Sequence, residues 1–354
     1  VDDLCGTPRH LLFDIYDGVI VGEAEPALIA LWQALNGQRD KKSVPNLLAP
    51  SFDLLAPPSP GSQDLRELSP PDFSLVDPAI YAFPQPVVDL RMSRGCAWGR
   101  CTFCAITLHQ EGYRARPAAA VIADMEAAHR ALGSRFFRLR DDLLTPKQFR
   151  ELGKLVPQMS FSPRFSARAR FEPNLSREAL KSAREAGLEE LWLGLESAAP
   201  RVRELMIKGA PQDVVERILI DASELGIRVR ALCIIGHPGE TVREVHHTLA
   251  FLQQHMFRIS SFSLTPFLLM PGTPIAREPQ LYGLTILPDA LPRHERLRTR
   301  LRAVGPSLLE EKQLQELHRE AITTLAGWLR QGLWGPTLTH SFLHESVRRG
   351  GWPS

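Results

Sequence analysis

Three of the five cysteines in this 354-residue chain fall within nine residues, as Cys96-Ala97-Trp98-Gly99-Arg100-Cys101-Thr102-Phe103-Cys104. A disulfide framework spreads its cysteines along a chain, whereas a tight cluster in a reducing compartment holds a metal. Three soft thiolates on one loop can bind three irons of a four-iron cluster and leave the fourth iron open. Zinc gives a second reading, because structural zinc takes a closed set of four ligands. His109, five residues after Cys104, would complete Cys96, Cys101 and Cys104 as a non-enzymatic zinc-bound scaffold.

A loop of this kind needs rigid elements on either side. After Pro86 strands and helices alternate. Strand-like segments run over 87–92, 135–140, 161–169, 190–195, 228–235 and 260–268. Helical spacing covers 118–132, 147–156, 177–186, 212–225 and 242–255. Six strands with intervening helices predict an α/β fold with a parallel sheet and right-handed crossovers, curled into a partial barrel or left open. The cysteine loop then follows the first strand at its C-terminal end, where βα enzymes carry their chemistry.

Composition narrows the function. Lys+Arg 42 against Asp+Glu 40 gives a formal net charge of +2, which provides no global field for nucleic acid or an acidic membrane. No run approaches the roughly 18 apolar residues of a spanning helix, and the first residues lack a basic-then-apolar leader. The chain is therefore expected to be cytoplasmic, with neither a nucleic acid nor a membrane as partner. Ten of its 29 prolines lie between 45 and 86, a density that forbids regular helix. The expected organisation is a short N-terminal unit at 1–44, a Pro-rich linker at 45–86, a core at 87–285 and a helical extension at 286–354.

The cysteine loop resembles that of the radical S-adenosylmethionine (SAM) enzymes, whose usual spacing is Cys-x3-Cys-x2-Cys with an aromatic residue before the last Cys, here Phe103. This chain carries one extra residue between Cys96 and Cys101. Later segments extend the resemblance over about residues 86–280 in the family's order. Leu139-Arg140-Asp141-Asp142-Leu143 stands where the family contacts the SAM amino group. Gly194-Leu195-Glu196-Ser197 resembles the segment near the ribose, and Ile234-Ile235-Gly236-His237-Pro238-Gly239-Glu240-Thr241 the one beside the adenine. The resemblance implies a partial (βα)6 barrel of the radical SAM type. It also implies a [4Fe-4S] cluster on Cys96, Cys101 and Cys104, and reductive cleavage of SAM that starts methyl transfer or rearrangement on a small-molecule or peptide substrate. A flavodoxin- or ferredoxin-type reductant would supply the electron. In Phe165-Ser166-Ala167-Arg168-Ala169-Arg170, alternation puts Ser166, Arg168 and Arg170 on one face, where Arg suits a carboxylate. The expected SAM contacts are Phe103, Asp141, Asp142, Ser166, Arg168, Glu196 and Gly236.

The stretch Gly18-Val19-Ile20-Val21 followed by 27–35 resembles the last strand and helix of a cobalamin-binding domain, which often precedes this class. The family's Asp-x-His-x-x-Gly ligand segment is not found upstream of the linker. A nucleotide-tail cofactor needs several βα units to form its crevice. The chain is thus expected to be cobalamin-associated by descent while holding cobalamin weakly or not at all. Its N-terminal helix is expected to pack against the barrel through Leu28, Ile29 and Leu31.

Overall fold

The computed structural model describes residues 13, 16–49, 64–77, 86–108, 112–287 and 301–330, with only the backbone at 107–108, 322 and 324–330. His109 and Cys5 lie outside the described residues. The main sheet has six strands: β3 (Val87–Leu90), β6 (Phe136–Leu139), β7 (Arg164–Ala169), β8 (Leu188–Glu196), β9 (Arg228–Ile235) and β10 (Ser261–Pro266). They are all parallel and lie in chain order, and no ladder joins β10 to β3 among the described residues. This is the expected partial barrel.

Between the strands run α2 (Ala118–Leu132), α3 (Pro146–Leu155), α4 (Arg177–Glu185), α6 (Gln212–Glu224) and α7 (Val242–Gln254). Their starts are written locally. Thr145 with Gln148 and Thr241 with Glu244 form reciprocal capping boxes, and Ser176 caps α4. Alternation along the strands sends Phe137, Phe165, Ala167, Leu191, Val229 and Ala231 outward into one core with Val121, Met125, Leu152, Leu180, Ile218 and Leu252 of the helices. The other strand face is polar and lines the barrel interior. Cys233 is on the core side and buried.

The N-terminal unit departs from expectation. Strand β1 (Val19–Ile20) pairs antiparallel with β2 (Leu47–Leu48), inside the stretch read as linker. Helix α1 (Glu25–Leu35) buries Ala27, Ala30 and Ala34 against Val44 and Leu47, with Leu31 partly buried beside them. Leu28 is 55% and Ile29 64% exposed, as are Trp32 and Leu35 to a similar extent. The expected docking through Leu28, Ile29 and Leu31 is therefore overturned. The alanine face allows close approach to the β1–β2 ribbon, and charge makes the contact with the barrel. Glu23 pairs with Arg94 and Arg114, and Glu25 pairs with Arg94. Close by in the chain, Arg116 pairs with buried Asp124.

At the other end of the chain, β11 (Thr285–Ile286) pairs with β12 (Ala303–Val304), and α9 (Glu311–Arg330) lies on α7. Leu314 and Leu317 pack with Ile235 and Val245. His246 meets Glu320 at 3.0 Å, so one of the two adjacent histidines in α7 serves the helix contact. No helix among the described residues is long and apolar enough to cross a membrane.

Candidate functional site

The cysteines sit on a loop with a closed neck. A two-residue ribbon, β4 (Ser93–Arg94) with β5 (Arg114–Ala115), joins its ends. At its entrance Gly95 has φ +75°, and a Cβ there would come within 2.5 Å of the Gly112 carbonyl oxygen. Only glycine fits that crossing. Asp141 holds the strand that feeds the neck: its carboxylate accepts from the Met92 N–H at 3.0 Å and from the Ser93 hydroxyl.

The far side of the loop is tied to the segment after β8, where α5 (Pro200–Leu205) ends. Thr102 N–H donates to the Met206 carbonyl at 3.2 Å, Thr102 Oγ1 to Leu205, and Trp98 Nε1 to Ile207 at 2.9 Å. The Arg170 guanidinium lies 3.7 Å from the Trp98 ring centroid and also donates to the Lys208 carbonyl. Phe103 wedges between Met206 and Ile275, edge-on to His237. The loop is thus fixed to the barrel mouth through Trp98, Thr102 and Phe103.

None of the three cysteines is disulfide-bonded. Burial pushes the Cys101 thiol up, with a contribution from Cys96, while Lys208 pulls it down. Burial likewise pushes Cys104 up to about 11, and both other cysteines add to the rise. Ionising three thiols that share one nine-residue loop requires positive charge among them, which bound iron supplies. That donor chemistry fits an iron–sulfur cluster. Among the described residues, no three His, Cys, Asp or Glu side chains gather as they would around a single ion.

Below the loop, Glu196 closes β8 in the left-handed region, φ +58°. Its carboxylate meets Lys208 Nζ at 2.8 Å, both side chains being about nine-tenths buried. The pair folds across Gly194, where a Cβ would stand 2.4 Å from Glu196 Oε1 and 2.6 Å from Lys208 Nζ. Burial alone would depress the Lys208 ammonium, but Glu196 and the nearby Cys101 outweigh it and hold its pKa above the ordinary lysine value.

The expected SAM contacts separate in the structure. Phe103, Glu196, Asp142 and Arg168 lie toward the mouth; burial lowers the Arg168 pKa and Asp142 opposes that. Asp141 is fully buried, and its carboxylate is engaged by Met92 and Ser93 of the strand that feeds the neck. Ser166 lies one row deeper, level with Arg138 and Glu190. Gly236, φ +79°, is covered by Leu314 of α9, whose Cδ2 is 2.6 Å from where a Cβ would be.

Beside Gly236, Glu240 accepts its N–H at 2.7 Å, and burial pushes the Glu240 carboxyl up to about 7. His237, also buried, is driven down to about 4 by desolvation. Lys208, Glu240 and the Trp98–Arg170 contact escaped sequence reading. The signal for Lys208 was present in Met206-Ile207-Lys208-Gly209, but a partner 12 residues away is not visible without the fold.

Residues 90–252 match the Radical SAM superfamily. This segment is a radical SAM domain. The superfamily uses a [4Fe-4S] cluster and SAM. An uncharacterized methyltransferase of Pyrococcus horikoshii is 28% identical over 265 residues, covering 73% of this chain and 56% of its own. This chain thus spans little more than half of that curated relative. The radical SAM methyltransferase TsrM from Kitasatospora setae, solved with tryptophan substrate and a SAM analog bound, superposes with a TM-score of 0.69 at 18% identity, over 89% of this chain and 69% of TsrM. The cobalamin-dependent SAM radical enzyme OxsB, solved with aqua-cobalamin and SAM, gives 0.67 at 16% identity over 90% and 52%. Both share the fold of this chain.

Proposed function

We propose that this protein is a radical SAM enzyme that reductively cleaves SAM at a [4Fe-4S] cluster held by Cys96, Cys101 and Cys104, and that it directs the chemistry to methyl transfer or rearrangement on a small-molecule substrate. The observation that carries this reading is the cysteine loop itself: three free thiols on a neck-closed loop, tied to the mouth of a six-stranded partial barrel. The cluster, when bound, supplies the electron that breaks the SAM sulfonium bond.

This chain's residues supply position and exclusion. Arg168 offers a guanidinium to the SAM carboxylate, and Asp142 beside it offers an acceptor to the amino group. Phe103 gives an apolar wall, and Glu196, anchored by Lys208, presents its second oxygen at the mouth. The Trp98–Arg170 contact and the Thr102 bonds hold the loop at a fixed height over these groups.

Cobalamin fits poorly. The described N-terminal residues provide one helix and a ribbon of two short strands, well short of a dinucleotide-type crevice. We therefore infer no cobalamin step for this chain alone.

Anaerobic reconstitution tests the reading. About four irons with matching sulfide are expected, together with 5′-deoxyadenosine and methionine when SAM meets the reduced protein. One zinc without sulfide would replace the enzyme with a zinc scaffold.

A further inference from the structure

The strand register lays the barrel interior out in rows. The deeper row is Asp89, Arg138, Ser166, Glu190 and Arg228, from β3 across to β9. It is internally neutralised: Arg138 meets Asp89 at 2.5 Å, and Arg228 lies 4.0 Å from Glu190.

The next row toward the mouth differs. Arg168, Trp192, Arg230 and Ser261 are register partners. Alternation from Asp89 and Arg138 places Arg91 and Arg140 on the same face at the same level, and Arg140 N–H bonds the Leu90 carbonyl there. The row therefore carries four arginines. Arg168 and Arg230 flank the Trp192 ring from either neighbouring strand, at 5.4 and 4.7 Å from its centroid.

Among the described residues Arg91, Arg168 and Arg230 have no ion-pair partner. Arg140 has only Asp89 at 3.9 Å, a carboxylate already given to Arg138. Arg230 Nε is a buried donor without an acceptor. Burial lowers the Arg168 pKa, and Arg140 and Arg91 lower it further, so the cations crowd one another. At the β3 end, Arg91 and Arg140 open into a cleft of about 550 Å³ walled by Leu65, Leu68 and Pro71, whose carboxylates Glu25, Asp89 and Asp124 are each already paired with an arginine, within the usual size of a small-molecule site.

SAM does not neutralise this row. Its sulfonium and ammonium outweigh its one carboxylate, so loading SAM leaves the interior still positive. We propose that the substrate is a small polyanion, bearing at least two carboxylate or phosphoryl groups, held by Arg230 at one end and by the Arg91–Arg140 pair at the other. The inference deepens the radical SAM reading and rests on it for the word substrate. Adjacent strands stand about 4.8 Å apart, so Arg140 and Arg230 rise from backbones roughly 14 Å apart, and their long side chains can converge on one metabolite-sized molecule.

The test is calorimetric titration of the reconstituted full chain at constant ionic strength, with and without saturating SAM. Citrate and inorganic pyrophosphate are the probes, which separate carboxylate from phosphoryl recognition. Saturable binding of at least one probe is expected, and it should persist with SAM bound. Arg230→Gln and Arg140→Gln should each weaken it at least about tenfold. Arg230→Lys should recover part of the loss, and Lys147→Gln on the surface should leave the affinity unchanged. Visible cluster absorption and the melting temperature show whether each variant is folded. Absence of saturable binding to the wild type up to about 10 mM, which is weaker than any specific site, would overturn the proposal, as would unchanged affinity in folded Arg230→Gln. Anion binding without any SAM cleavage would support this site and sink the radical reading. SAM cleavage without anion binding would do the reverse.

Discussion

The Glu196–Lys208 pair is the sharpest place to test the site. Lys208→Met keeps the stem volume and deletes the charge, leaving the Glu196 carboxylate about nine-tenths buried with no cation at 2.8 Å. Breaking one partner of a buried pair costs about 3–5 kcal/mol, because the remaining charge is uncompensated. That is a large share of the roughly 5–15 kcal/mol that holds a domain folded. For a cooperative unit of about 200 residues the unfolding entropy is roughly 0.4 kcal/mol/K, so the melting temperature should fall by about 10 °C.

Adding Glu196→Gln to Lys208→Met removes the orphan charge while keeping shape, and the double variant should regain part of the loss. Thermal and urea unfolding of the apo chain under reducing conditions measure both. The pair also has a pH signature. The folded Lys208 pKa is raised, so its contribution is whole below the ordinary lysine value and is lost as pH climbs through the folded pKa. Lys208→Met should lack that alkaline decline. A Lys208→Met variant within about 1 kcal/mol of wild type, the value of an exposed pair, would refute the reasoning. So would a double variant no more stable than the single one.

Four further outcomes follow from the same geometry. Glu240 titrates near 7 in the fold against 4.5 ordinarily, so the unfolded chain ionises first and wild-type stability should fall by about 3 kcal/mol between pH 4.5 and 7; after the shared background is subtracted, Glu240→Gln should lack that decline in pH-dependent urea unfolding. Asp141→Ala strands the Met92 N–H and Ser93 hydroxyl in a buried place, at about 1–3 kcal/mol for each group, and should lower both stability and cluster yield, whereas a loss confined to SAM affinity would reassign it to the cofactor. Single replacement of Cys96, Cys101 or Cys104 by Ala should abolish the broad visible absorption of the reconstituted protein; full retention in any one variant removes that residue as a ligand. Titration with cobalamin followed by desalting should leave none bound, and stoichiometric retention would show that the N-terminal unit has been misjudged.

How far residues alone lead depends on whether their partners are near in sequence. Strand β9 was legible to the residue, because Arg228-Val229-Arg230-Ala231 alternates and runs into the short apolar stretch Leu232–Ile235, which Gly236 ends. Helix α1 shows the opposite case. Ala27, Ala30 and Ala34 share one face while Leu28, Trp32 and Leu35 share another, so both stripes are apolar and spacing cannot choose between them. The ribbon β1–β2 selects the small face, and that contact lies some 20 residues downstream.

The functional site divides along the same line. Cys96, Cys101 and Cys104 are neighbours in sequence, and their chemistry is readable as a string. Asp141 looked like a cofactor ligand because a polar residue at a strand end is ambiguous until its acceptor geometry is known; Met92, 49 residues away, resolves it. The arginine row is the least legible feature of all. Each arginine belongs to a different strand and looks like one more surface cation in a chain with balanced charge. Only the parallel register, which stacks residues 91, 140, 168 and 230 at one level, turns four scattered residues into a field that a neutral substrate could not satisfy.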